Sequence, residues 1–282
     1  MKRSSLEKMA GTQKQKRQPY RDLKPPDRVQ TIFDDFLARF EENINDPKLD
    51  RNDVVRDTLY QLYLAAVPNF TRLHDYKFPI GARALVACFD PRNATLDPEY
   101  DSDLNPDLYS PRKPLIWFWH MFDRSPLGLN AHLGLKLRQM LAPYIFKKVG
   151  SNFRCAALVQ WSFGYNLSVG DDVVIGRQAL LDDRGGLDIG SHVQIGEFVV
   201  AHSHAPGAIN EGSVNKDKIV IGDHVRIGFH STILPGVHIG QGAVVEPMSL
   251  VARNVKPHDF VAGTWAESVS PQPKGRAKGS AS

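Results

Sequence analysis

The chain has 282 residues, is 42% hydrophobic and 23% charged, and carries a formal net charge of +4. That composition is ordinary for a water-soluble protein and rules against a fibrous or low-complexity chain. Two cysteines, Cys88 and Cys155, are too few for a disulfide scaffold and lack metal-ligand spacing, so two buried free thiols are expected. The longest aromatic-rich run, 115–122, falls far short of a membrane span, and the N-terminus lacks the apolar core of a secretory signal. A cytoplasmic location is the expectation.

The charge is unevenly spread. Residues 1–28 hold nine Lys/Arg against three acids, and 270–282 add three more basic residues, leaving the body acidic. Aromatic residues are not interleaved with the basic run, so no nucleic-acid partner is expected and residues 1–28 read as a solvated, disordered tail. Peripheral contact with an anionic inner membrane stays open.

Residues 29–44 place Val29, Ile32, Phe33, Phe36, Leu37, Phe40 and Ile44 on one helical face. A second helix is predicted from Asn52 or Asp53 to Ala66, with Val55, Leu59, Leu62 and Tyr63 inward and Pro68 beyond its end. Residues 89–114, rich in Pro, Asp and Asn, read as an irregular connector. The stretch 117–122 (WFWHMF) lacks the amphipathic length of a membrane anchor and reads as packing. A further helix fits 130–148, capped by Asn130, kinked near Pro143 and closed by Gly150. Residues 29–150 thus form a helical, loop-rich region whose role the sequence does not disclose.

From Val169 onward the rhythm changes. An aliphatic residue recurs every sixth position: Val169, Ile175, Leu181, then after a two-residue slip Ile189, Ile195 and the weaker Ala201. After a polar loop the series resumes at Ile221, Ile227, Ile233, Ile239, Val245 and Val251. Glycine follows directly at 170, 176, 190, 196, 222, 228 and 240. Neither a helix nor a half-buried strand repeats at six, whereas a parallel β-helix does. Each unit supplies one side and one corner of a three-sided coil, the aliphatic side chain pointing inward and glycine relieving the corner. Three units close a turn, so Ile221 should stack on Ile239. Residues 151–266 are assigned to this coil and 267–282 to a flexible tail.

Several strings within the coil are specific. SFGYNLSVG at 162–170, LLDD at 180–183, AHSHAPG at 201–207, IVIGDHVRIGFHSTILPGVHIGQGAVV at 219–245 and VARNVKPHDFVAGTWAE at 251–267 together resemble the hexapeptide-repeat acyltransferases of the galactoside and maltose O-acetyltransferase type. The resemblance implies a left-handed β-helix, a homotrimer with its sites between subunits, and transfer of acetyl from acetyl-CoA to a hydroxyl of a saccharide-type acceptor. No metal is implied. An alcohol needs a base to attack a thioester, and imidazole suits that task near neutral pH.

The family's loop histidine precedes Ala or Pro, which makes His204 the expected catalytic base. His202 is at most an orienting or acceptor-contacting neighbour. Ser162 and Asp183 match positions that hold the acceptor, although an acceptor-binding Asn of the first coil is replaced within VVIGRQ. Arg253 stands at a family Lys position and Arg226 where Trp is common, making these two the candidate contacts to CoA. The closing family Arg is Glu267 here, and Lys274, Arg276 or Lys278 could supply the missing cation. Three alternatives stay open: a non-catalytic trimeric scaffold, a serine acetyltransferase-like enzyme lacking that family's L-D-H-A-T-G string, and a γ-carbonic-anhydrase-like zinc site. The last would need three imidazoles, for which the histidine spacing is wrong.

Overall fold

The computed structural model describes residues 24–73, 76–206 and 214–268. The expectations for the basic N-terminal stretch, the C-terminal tail and its three cations fall largely outside those residues. Helices Asp27–Asn45 and Arg51–Leu64 lie close to their predicted positions, the second opened by Asp50, whose side chain accepts from the Asn52 N–H. The irregular connector contains short helical turns at Pro91–Asn93, Asp97–Tyr100 and Pro106–Tyr109, each with proline at its first or second position. The aromatic stretch lies on helix Lys113–Asp123, where Leu115, Ile116, Phe118, Trp119 and Phe122 are buried. It is core, as the sequence suggests. No helix among the described residues is long and apolar enough to cross a membrane.

Two expectations need correction. Cys155 is buried, but Cys88 is exposed, because Val86 is the buried residue of its helix Ile80–Cys88 and a side chain two positions on points to the other face. The last helix, Ala131–Ile145, contains Pro143 and stops before Gly150. Gly150 belongs instead to the coil: a Cβ there would lie 2.5 Å from the carbonyl carbon of Gly170.

The coil is a left-handed β-helix built from three parallel sheets. In register, Val149–Val169–Ile189–Ile221–Ile239 run along the first sheet. Cys155–Ile175–Ile195–Ile227–Val245–Val261 run along the second, and Trp161–Leu181–Ala201–Ile233–Val251 along the third. Each of these side chains is at most 5% exposed, apart from Val149, and together they form one apolar column. The repeat therefore starts one turn before the aliphatic series, with Cys155 and Trp161 in inward positions. Trp161 is also where the helices attach: Trp119 and Phe146 pack edge-on against it at 4.8 and 5.0 Å between centroids.

The glycines fulfil a close approach rather than an unusual backbone angle. A Cβ on Gly196 would sit 2.6 Å from the amide nitrogen of Phe229 on the next coil. The left-handed conformation falls two residues later, on His192, Phe198, His224 and His230 among others. Those positions tolerate the ordinary cost of an L side chain at positive φ.

Candidate active site

All interruptions of the six-residue rhythm fall at one corner, between the third and first sheets. Trp161 to Val169 and Leu181 to Ile189 are each two residues too long, and Ala201 to Ile221 is longer still. The longest excursion opens as an antiparallel ribbon, His204–Pro206 against Val214–Lys216. Because successive turns here repeat at 20 residues, Ser162, Asp182 and His202 occupy the same position on three adjacent rungs.

Asp182 is the hub. Its Oδ2 meets His204 Nδ1 at 2.5 Å. Its Oδ1 accepts from Ser162 Oγ at 2.6 Å and from Arg184 Nε at 2.9 Å. Burial to 1% exposure would raise this carboxyl, but the hydrogen bonds from Arg184, Ser162 and His204 outweigh it and hold Asp182 at about 2. The carboxylate is therefore ionised and can only accept, so His204 Nδ1 must carry a proton, and in the neutral ring Nε2 is the nitrogen with the lone pair. His202 lies beside this pair, its ring 6.4 Å from that of His204 at a steep angle.

Asp183 departs from its expected role. Its carboxylate is fully buried and accepts from the backbone N–H groups of Ser162 (3.1 Å), Phe163 (2.7 Å) and Asn166 (3.1 Å). Desolvation pushes it up to about 6 despite those bonds, with the charge of Asp182 adding to the rise. It fixes the turn and offers no surface to an acceptor; the carboxylate that meets the histidine is its neighbour, Asp182. Both residues of the Asp-Asp pair are polar and adjacent, so only the 20-residue register to Ser162 and His202 distinguishes them in the sequence.

Arg253 and Arg226 are not brought together. Arg253 follows strand Leu250–Val251 and so lies on the same corner as His204, two rungs further along. Arg226 is exposed on the second sheet, across the prism from that corner.

Asp182, His202 and His204 are also the described residues whose donor atoms come close enough, within 4.8 Å, to share a cation. Two imidazoles and one carboxylate are not the three imidazoles of a γ-carbonic-anhydrase site. Both oxygens of Asp182 already accept hydrogen bonds, one of them from the positively charged Arg184. The set is organised as a hydrogen-bonded His–Asp pair.

Comparisons with known proteins agree with the repeat. The bacterial transferase hexapeptide (six repeats) family matches residues 218–253. The Bacillus subtilis (strain 168) protein YvoF, which carries a provisional acetyltransferase name, is 40% identical over 160 residues, covering 51% of this chain and 79% of YvoF. Galactoside O-acetyltransferase of Escherichia coli (strain K12) is 29% identical over 130 residues, 45% of this chain and 64% of that enzyme. The chain spans 65% of the length of provisionally named Staphylococcus aureus acetyltransferases at 28% identity. Among solved structures, a hexapeptide-repeat containing acetyltransferase of Vibrio cholerae superposes with a TM-score of 0.51 at 26% identity, covering 62% of this chain and 93% of that one. A galactoside acetyltransferase in complex with coenzyme A gives 0.51 at 25% identity, over 58% and 80% of the two chains.

Proposed function

The chain belongs to the hexapeptide-repeat acyltransferases, and on that footing we propose that it transfers an acetyl group from acetyl-CoA to a hydroxyl of a saccharide-type acceptor, with His204 as general base. The single observation that carries this reading is the His204–Asp182 pair at the mouth of the coil's excursion. In that pair Asp182 fixes the ring and its tautomer, and Nε2 is the nitrogen able to take a proton. The galactoside acetyltransferase complex with coenzyme A, together with the E. coli and B. subtilis relatives, supports acetyl-CoA as the donor.

Proton removal by Nε2 makes the acceptor oxygen nucleophilic as it approaches the thioester carbonyl. The imidazolium that forms is stabilised by the ionised Asp182 at 2.5 Å. Oxygen attack and departure of the CoA thiolate leave an O-acetyl ester, and the histidine's proton passes to the departing sulfur. Ser162 holds Asp182 from the opposite side, and His202 is assigned to contact the acceptor. Arg253 is assigned to a CoA phosphate, as it shares the histidine's corner. Arg226 would reach that coenzyme only from a neighbouring protomer, which accords with a homotrimer whose sites lie between subunits. The reaction is assigned to the cytoplasm.

The test is incubation with acetyl-CoA and a panel of saccharides, with the products mapped by mass spectrometry. An added acetyl ester on one hydroxyl supports the proposal. Acetylation of amines alone, or binding of acetyl-CoA without transfer to any saccharide, would remove the O-acetyl assignment.

A further inference from the structure

Asp101, in the turn after Asp97–Tyr100, brings a charge from the helical region to this site. Its Oδ1 accepts from the Asp103 N–H at 2.9 Å, which fixes the side chain against its own turn. Its other oxygen, Oδ2, faces Arg184 Nη1 at 3.5 Å. Four residues on, the Asn105 N–H donates to the hydroxyl of Tyr165 at 2.9 Å, and the Tyr165 ring stacks on Phe163 at 5.1 Å. The segment 101–105 is thus fastened twice to the corner that carries the histidine. Arg184 stands between two carboxylates: Asp101 on the helical side, and Asp182, hydrogen-bonded to His204, on the coil side. Exposures of 27% for Arg184 and 18% for Asp101 leave the charges only partly screened.

Resting on the transferase reading of His204, we infer that Arg184 and Asp101 are positioning residues that set the charge on the His204–Asp182 pair, so that the N-terminal helical region tunes the pH range in which the base works. Among the described residues, the charged and titratable groups nearest His204 are Asp182, which it meets directly, His202 beside it, and Arg184, which reaches it through Asp182; Asp183, next to Asp182 in the chain, is turned to the amides of Ser162, Phe163 and Asn166. From the helical side Asp101 reaches the pair through Arg184, while the Asn105 N–H donates to the phenol of Tyr165 on the coil's own turn. Lys216 is the backbone partner of His204 across the ribbon. The cation of Arg184 opposes an imidazolium on His204, whereas the anion of Asp101 offsets that cation. Removing either therefore acts on the base in the opposite sense from removing the other. A residue that merely held the fold would not give paired shifts of opposite sign.

The experiment is NMR titration of the histidine rings in the full-length protein without ligands, with His204 assigned by His204→Gln. Arg184 is separated from His204 by the Asp182 side chain alone, and at an effective dielectric between protein surface and water such a charge is worth about 0.5–1 pH unit; Asp101, one side chain further away, is worth less. The His204 signals in Arg184→Gln should titrate at higher pH than in wild type by the larger amount, and those in Asp101→Asn at lower pH by the smaller. Arg184→Lys should return most of the way to wild type. Asparagine keeps the oxygen that caps the 101–103 turn, so Asp101→Asn preserves the fold. The acid limb of the acetyl-transfer rate, measured with acetyl-CoA and whichever saccharide of the panel is acetylated, should move in the same two directions. Shifts in one common direction, or none in either variant, overturn the inference. Because the titration uses neither donor nor acceptor, paired shifts without any acetyl transfer would uphold the inference and sink only the transferase reading.

Discussion

Replacing Asp182 by Asn probes the site at its hub. The carboxylate meets His204 Nδ1 at 2.5 Å, which puts the centres of the two charges about 4 Å apart once the imidazolium forms. At an effective dielectric of about 20, such a pair is worth about 4 kcal/mol. Arg184 neutralises part of the carboxylate, and the His204 side chain is 18% exposed, so roughly two-thirds of that figure is a fairer expectation. The predicted loss in kcat is therefore about 10²-fold, with little change in KM because the interaction strengthens only as proton transfer proceeds. The assay is acetyl transfer at saturating acetyl-CoA for wild type, Asp182→Asn, His204→Ala and the double variant, each checked for an unchanged thermal transition. If the two residues act as one unit, the double variant is no slower than His204→Ala alone. A folded Asp182→Asn within threefold of wild type, or losses that multiply in the double variant, would refute the pairing.

His204→Ala should leave the coil intact, since the residue opens the surface ribbon, and should lower turnover by about 10²–10⁴-fold; a folded variant of near-normal activity would withdraw the base. Asp123→Ala should cost about 3–5 kcal/mol in denaturant unfolding, because it strands Arg138, which is 1% exposed and bonded to Asp123, Gly128 O and Cys155 O; a loss below about 1 kcal/mol would show that the pair does not hold helices to coil. Gly196→Ala should destabilise by about 2 kcal/mol or more, since its Cβ would press on the Phe229 backbone, whereas an unaltered midpoint would mean the coils part easily. Burial lowers His120 from 6.5 to about 4, and its Nε2 is buried without a hydrogen-bond partner among the described residues. The unfolded chain therefore binds a proton between those values that the folded chain refuses, so this contribution is complete above about pH 6.5 and is lost as pH falls toward 4. His120→Phe should flatten the fall by about 2 kcal/mol over that window; Asp183, raised to about 6, slopes the other way, so the readout is the difference between variant and wild type.

The coil was readable because stacking demands the same kind of side chain at every sixth position. The series from Val169 to Val251 marks the inward column correctly, and Ile221 does pair with Ile239. The first turn lies largely within the 151–266 assignment but shows no aliphatic series, because Cys155 and Trp161 stand in that column, and Gly150 looks equally like a helix stop. The helices at 27–45 and 131–145 followed from apolar spacing and from Asn130, which caps the Leu133 N–H. At the site, His204, His202 and Ser162 do share one corner. The motif singles out Asp183 alone, and nothing in it shows that the adjacent Asp182 is the carboxylate that meets the histidine; the register does, since Asp182 pairs across to His202. Asp101 carries no local signal at all. Its meeting with Arg184 depends on how a distant turn docks on the coil, which no spacing in the chain records.

The most direct measurement is a single-turnover comparison of wild type and His204→Ala, both loaded with acetyl-CoA and mixed with the acetylated member of the saccharide panel across pH 5–9. The account requires the wild-type rate to rise with deprotonation of one group, the variant to lose that dependence along with most of its rate, and the product to be an ester. A variant that forms the same ester with the same pH profile would contradict it, because the proton would then be leaving the hydroxyl without His204.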